Sequence, residues 1–319
     1  VADFFNLILR TLNHMLILRK TKAYFGTIDG SKIRPDQLTL LSIEEIGSTM
    51  ISTDHGPVML SCIFEIAFAS SIAEPSILID GDCESIDNLA AGMSQGALCV
   101  LGSVGNFAGR GMHGGQLVIA GNARDHLGTG LVAGLVYVSG NCEQFLAGPE
   151  PGRKSGMRGG DIFIAGNCGL RACERMRRGT VFIGGNAGDY AVSQMIAGTL
   201  VVMGDLGKHW GGGMRRGSLV LAKESESAPT ASLSEARDFE LSFLPLVWRH
   251  IEQLQADALD VLSTAVALSA GWLLSASRTA PTPCKIPKTR WVRRQIADLN
   301  FHGRAEVLVL RRISSPGVA

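Results

Sequence analysis

The chain has 319 residues, and its 30 Lys and Arg against 29 Asp and Glu leave a net charge of +1, which implies no bulk polyanion such as nucleic acid as partner. Charged residues are sparse at 18% and apolar ones reach 46%, enough to bury a large core across more than one structural unit. Seven cysteines, an odd number without framework spacing, point to a reducing compartment and hence to a cytoplasmic location with free thiols.

In chain order, the opening segment lacks the basic start and small-residue cleavage site of a signal peptide. Residues 1–14 read as an extension ahead of Met15. Residues 15–30 alternate well enough for strands (Leu16, Leu18, then Ala23, Phe25), residues 36–50 read as a short amphipathic helix behind Pro35, and residues 58–66 as an apolar strand. Residues 77–82 look like a first, irregular copy of a repeat: a strand, then Gly81 and Asp82.

From residue 92 to 222 the chain repeats regularly. A methionine followed three residues later by glycine recurs as Met93/Gly96, Met112/Gly115, Met157/Gly160, Met176/Gly179, Met195/Gly198 and Met214/Gly217, with Leu131/Gly134 in the remaining slot. The steps are 19, 19, 26, 19, 19 and 19, the long one holding an insert around residues 148–154. With the marker as position zero, positions five and seven are apolar in every copy, as in Ile162 and Ile164, which is a strand with one face inward. Position nine is mostly Gly and position ten mostly Asn (Asn122, Asn141, Asn167, Asn186), read as a corner because both residues tolerate positive φ. Nineteen residues hold two or three short strands but not a strand and a long helix, so each copy is one coil and like residues stack in columns. Each buried Met or Ile contributes roughly 2 kcal/mol to such a core. Left-handed coils are built from hexapeptides, whose multiples do not give 19.

After residue 222 a polar linker (residues 223–234) leads to two expected helices, 243–255 and 258–276. The uncharged run 261–277 is short for a membrane span and diluted by Ser263, Thr264, Ser269 and Ser275, so a buried docking helix is expected. A Pro-rich loop over 279–287, a basic cluster (Arg290, Arg293, Arg294) and an apolar strand at 307–310 end the chain. The fold expected is therefore mainly β: a right-handed parallel β-helix of about seven 19-residue coils, with a small N-terminal α/β region and C-terminal helices packing on it. The segments are 1–70, 71–222 and 223–319.

No catalytic constellation stands out, and no metal site is expected. His126 and His209 share position fourteen, too far apart for one metal and without a third ligand. Cys142 and Cys168 share position eleven in consecutive coils, an apolar column with Val104, Ala123, Ala187 and Leu206, where two packed thiols are expected. The glycine strings such as Gly109, Gly111 and Gly114 keep to the repeat and so belong to corners, not to a phosphate loop. Two outward columns point to partners. Arg158, Arg177 and Arg215 share position one, and Arg178 and Arg216 position two, with Arg171 and Arg175 nearby. Like charges so close call for anions, either partner carboxylates or a ligand. Position six (Tyr137, Phe163, Phe182, Val201, Val220) is apolar and wants a cover, either the C-terminal helices or another subunit.

The run Gly111-Met112-His113-Gly114-Gly115-Gln116-Leu117-Val118-Ile119-Ala120-Gly121-Asn122, repeated with changes over residues 156–167, resembles a known glycine-rich β-helix. That β-helix is shared by the glutamate synthase large subunit and the C-type subunit of formylmethanofuran dehydrogenase. The tail over residues 293–308 is similar to the ending of the C-type family, with Gln295 for its tyrosine and Ala297 and Ala305 for its glycines. The resemblance implies a scaffold subunit, not itself catalytic, of a formyltransferase/hydrolase or formylmethanofuran dehydrogenase complex in tetrahydromethanopterin- and methanofuran-linked one-carbon metabolism. It implies partner subunits of the A, B and D types and a methanofuran-type carrier. It places the reactive metals in those partners and no cofactor in this chain. Carriers of this type have acidic glutamyl tails, so Arg158, Arg177, Arg178, Arg215 and Arg216 are expected either to hold such a tail or to dock a partner subunit. The alternative is a scaffold module of the glutamate synthase type bridging partner enzymes.

Overall fold

The computed structural model describes residues 14–21, 26–70, 76–270, 283–301 and 303–311. The chain is mainly β. It opens with β1 (His14–Lys20) and β2 (Ile28–Asp29), then the short helices α1 (Pro35–Leu38) and α2 (Ile43–Ser48). The single helix expected over 36–50 is thus two. Thr39 Oγ1 donates to the Pro35 carbonyl (2.7 Å) where α1 stops, and Ser42 starts α2 with a reciprocal capping box to Glu45. The strand expected over 58–66 is likewise split, into β4 (Val58–Met59) and β5 (Phe64–Ser70) around a tight turn; β3 (Met50–Ile51) pairs β4. Ala23 and Phe25 lie outside the described residues.

One sheet organises the rest. Its strands are β6 (Ser76–Asp80), β8 (Ala97–Val100), β9 (His113–Ile119), β10 (Ala133–Val138), β11 (Asp161–Ile164), β12 (Thr180–Ile183), β13 (Thr199–Val202) and β14 (Ser218–Leu221), together with β1, β5, β15 (Arg237–Glu240), β16 (Trp291–Ala297) and β17 (Ala305–Leu310). The short β7 (Ile86–Asp87) lies apart from it and pairs β2. The order of the 13 strands is β15-β16-β17-β14-β13-β12-β11-β10-β9-β8-β6-β1-β5. Every pairing from β17 through to β1 is parallel; β5 closes one end antiparallel, and β16 and β15 the other. Register matches the repeat: Ile162 faces Val181, Val181 faces Leu200, and Leu200 faces Leu219. The irregular first copy pairs as expected, Ile77 with Leu98.

A second ladder runs beside the first. Single parallel bridges link Cys83, Val104, Ala123, Cys142, Cys168, Ala187 and Leu206 in turn. Each repeat thus contributes one strand and one bridge, stacked on the copies before and after, an arrangement consistent with a β-helix-like fold. Positions five and seven, all six marker methionines and the bridge column make the interior core. The marker glycine is obligatory: Gly217 has φ +97°, and a Cβ there would lie 2.6 Å from the Gly198 carbonyl.

The Gly-Asn corner works differently from the expectation. From Gly102 to Gly204 neither the position-nine glycines nor the asparagines adopt positive φ. Glycine is needed there for close approach, since a Cβ on Gly166 would meet Asn141 Oδ1 at 2.5 Å and the Gly140 carbonyl at 2.6 Å. The left-handed backbone lies at positions fourteen, sixteen and eighteen instead, on Phe107, His126, Phe145, Arg171, Tyr190 and His209 among others, φ 58° to 65°.

The outward apolar column is buried within the chain, over β8 to β11 by its own helix, α3 (Leu244–Ala270). Leu244, Trp248, Ile251, Gln255, Ala258, Leu262 and Ala265 are buried at alternating steps of four and three, a continuous stripe along the helix. The stripe lies against β8 to β11, which carry Cys99, Val118, Tyr137 and Phe163, and shares with them and with Phe182, Val201 and Val220 a second core. The stripe explains why the two expected helices are one. It runs through residues 256–257 without a break, where Gln253 donates to Asp257 one turn on (2.7 Å). The expected helix beyond residue 270 lies outside the described residues. Trp248 Nε1 donates to the Thr289 carbonyl (2.9 Å), and the buried Gln255 amide, oriented by that contact, pairs with the backbone of Cys284, so residues 283–290 are strapped over the helix. No helix among the described residues is long and apolar enough to cross a membrane.

Candidate functional site

Three outward columns run along the coils, and their states differ. The first is the amide ladder at position ten. Asn122 Oδ1 accepts from the Asn141 N–H, Asn141 Oδ1 from Asn167, Asn167 Oδ1 from Asn186 and Asn186 Oδ1 from Asp205, each at 2.8 Å. Both ends carry a lysine: Lys20 donates to the Asp82 carbonyl (2.9 Å), and Lys223 pairs with Asp205 (2.8 Å). This column satisfies itself.

The second is the left-handed corner at position fourteen. Its side chains stack. Phe107 and His126 are parallel within 6° at 4.6 Å, and His126 and Phe145 within 3° at 4.7 Å. The Arg171 guanidinium lies 6.0 Å from the Phe145 ring and 5.3 Å from Tyr190, and Tyr190 stacks on His209 at 5.2 Å. Burial between the two phenylalanines lowers the His126 pKa, with Asp125 pulling the other way. Arg171 and Arg175 belong here rather than to the stripe, because both pair with the buried Glu174 (3.2 and 4.0 Å). The sequence carried a signal for this column, since Phe107, His126, Phe145, Tyr190 and His209 recur with the repeat.

The third column is the arginine stripe. Arg158, Arg177, Arg178, Arg215 and Arg216 are all exposed and form no ion pair with any described residue. Their backbones hold them in line: the Arg158 N–H donates to Leu131 (2.7 Å), Arg177 to Met157 (2.8 Å) and Arg215 to Met195 (2.9 Å). A sixth arginine joins them. Arg304, exposed just ahead of β17, donates its N–H to the Arg215 carbonyl (2.7 Å), which places it in register with Arg216. Periodicity does not reveal it, because it comes from the returning tail, 88 residues on in the Ser218–Glu306 register.

Inside the coils, chemistry is suppressed. All seven cysteines are free. Cys142 and Cys168 face each other as bridge partners; the hydrogen bond between their thiols and burial together hold Cys142 well above the usual thiol range. Burial pushes Cys83 and Cys99 up to about 12. Among the described residues no three His, Cys, Asp or Glu side chains converge to hold a metal ion.

The geometry defines a glycine-rich coil-repeat protein whose outward cations are left unneutralised along one line. A family model described as the GXGXG motif matches residues 153–236. The chain is also similar to a chain in the X-ray crystal structure of the formyltransferase/hydrolase complex (FhcABCD) from Methylorubrum extorquens in complex with methylofuran. The identity is 32%, the match covers 93% of this chain and 100% of that one, and the TM-score is 0.74. No curated protein matches. The chain belongs to the family of C-type subunits found in formylmethanofuran dehydrogenases and formyltransferase/hydrolase complexes.

Proposed function

We propose that this protein is the scaffold subunit of a formyltransferase/hydrolase complex, of the type that moves a formyl group from tetrahydromethanopterin to a methanofuran-type carrier and releases it as formate. The observation that carries the reading is the match to a chain of such a complex at 32% identity across that chain's entire length. The identity of 32% to a chain of that complex weighs against a glutamate-synthase-type module. In this reading the repeat is a right-handed parallel β-helix of about seven coils, a rigid rod on which A-, B- and D-type subunits assemble in the cytoplasm. The chain itself carries out no chemical step, and the reactive metals and the formyl chemistry sit in the partners. Buried, protonated thiols and self-satisfied polar columns support a structural role. The stripe of Arg158, Arg177, Arg178, Arg215 and Arg216 holds the acidic tail of the carrier, because exposed guanidinium groups one or two rungs apart, at ~4.8 Å per rung, repel one another until carboxylates lie among them. Purification of the tagged chain from its native cell tests the assignment. Three further subunits and formyl-transfer activity are expected, whereas a chain that purifies alone, or with glutamate synthase partners, overturns it. A double variant, Arg177→Ala with Arg215→Ala, tests the stripe, and unchanged carrier retention refutes its part in the proposal.

A further inference from the structure

The stripe is not uniform. Along the stack, successive rungs present Arg158, then Arg177 with Arg178, then Ile196 with Ala197, then Arg215 with Arg216, then Arg304. The order is one cation, two, none, two, one. The central rung is held in the same ladder, with the Ile196 N–H donating to the Met176 carbonyl (2.8 Å), so the gap lies in side chains and not in the backbone. Ile196 and Ala197 are both partly exposed. Two rungs separate the Arg177 pair from the Arg215 pair, about 10 Å at the parallel-strand spacing. That is about three residues of extended peptide, or its equivalent in any linear chain.

We infer that the stripe is a two-clamp site for an extended acidic chain, with Arg304 completing the second clamp and Ile196 and Ala197 forming an uncharged seat between the clamps. The inference rests on the stripe being an anion site at all, and adds what kind of anion it takes. A single phosphate or carboxylate reaches one clamp only. A chain that reaches both gains the second as an intramolecular contact, so affinity rises with length in a step rather than evenly. The seat removes any demand for charge at the centre of the ligand and favours apolar groups there.

The test uses the purified protein, or its complex stripped of bound anions, and short peptides read by fluorescence anisotropy at low salt. Glu-Glu, Glu-Glu-Glu-Glu-Glu-Glu and Glu-Glu-Leu-Leu-Glu-Glu are compared. The hexapeptides are expected to bind at least about tenfold more tightly than Glu-Glu, in line with linked contacts. The leucine-centred peptide is expected to match hexaglutamate despite its two missing charges. Arg304→Ala is expected to weaken both hexapeptides about two- to fivefold, as one exposed charge pair does. Ile196→Arg is expected to favour hexaglutamate over the leucine-centred peptide. If hexaglutamate binds more than about fivefold more tightly than Glu-Glu-Leu-Leu-Glu-Glu to the unmodified protein, charge is read evenly and the two-clamp inference fails while the anion site stands. If no peptide binds, and Arg177→Ala with Arg215→Ala changes nothing, the anion site itself fails.

Discussion

Replacing His126 by phenylalanine is expected to stabilise the protein, more at low pH than at high. The imidazole lies between Phe107 and Phe145, parallel to both, and its Nδ1 is buried without a hydrogen-bond partner. An orphaned buried polar atom costs about 1–3 kcal/mol; the ring is only partly buried, so a gain near the lower figure is expected. The backbone poses no obstacle. His126 has φ 65°, and its neighbours Phe107 (58°) and Phe145 (59°) show that phenylalanine is accommodated in this left-handed position. The pH dependence comes from the lowered pKa of the folded state. The unfolded chain takes up the proton first, so titration adds no cost well above the ordinary value of about 6.5 and adds progressively more to the cost of the orphaned nitrogen as pH falls below it. Phenylalanine removes that cost. Thermal unfolding of both proteins at pH 8 and pH 5 checks the reasoning, with a rise in Tm at pH 8 and a larger rise at pH 5. A variant less stable at both values, or a gain that does not grow as pH falls, would refute the account of the stack.

The amide ladder predicts that Asn186→Ala costs about 1 kcal/mol, because the Asp205 N–H loses its acceptor, whereas Asn186→Asp keeps an oxygen there and costs less; urea midpoints separate the two. Asp298, only 2% exposed, accepts from the Gly213 and Ser232 N–H groups, both at 3.0 Å. Asp298→Ala leaves both unpaired and is expected to cost about 2–4 kcal/mol, read as faster hydrogen exchange in the last coil. Trp248→Ala removes the anchor of α3 and the bond to Thr289, for a loss of about 3–5 kcal/mol and new exposure of the Tyr137–Phe163–Phe182 column, detectable by binding of a hydrophobic dye.

Much of this arrangement is legible in the sequence because the fold is periodic. Each copy repeats the same side-chain choice at the same place, so Ile162, Val181, Leu200 and Leu219 announce a column before any coordinates exist. Two kinds of feature escaped. One is backbone conformation. Glycine suggested positive φ at the Gly-Asn corner, yet the left-handed residues are Phe107, His126, Phe145 and Tyr190, held there by hydrogen bonds between coils, such as His126 N–H to Gln144 (2.9 Å), and by stacking. Propensity ranks the residue alone and does not see either effect. The other is whatever depends on the returning tail. Arg304 lines up with Arg216 only because β17 pairs with β14, a contact between distant segments that periodicity cannot predict. The unbroken α3 lay between these cases, since its heptad stripe can be read from Leu244 to Ala265, but only once the column it covers is known.

The sequence nominated two outward columns for partners, and the structure separates them. The column at position six is buried within the same chain, with α3 over β8 to β11, so it stabilises the protein rather than standing open to a partner. The asparagine column passes its hydrogen bonds from coil to coil and ends on lysines. The position-fourteen column stacks on itself, and its arginine is paired with Glu174. In the last two, each copy of the repeat satisfies its neighbour. The arginine columns cannot do so, because stacking brings like charge onto like charge, and among the described residues no carboxylate reaches them. A column whose own stacking is unfavourable persists only if something outside the chain repays it, or if solvent screens it. The two cases differ in their response to salt. With screening alone, added salt relieves the repulsion and raises stability slightly; with an anionic occupant, salt in the range where the Debye length falls below about 10 Å weakens its retention steeply while leaving the fold intact.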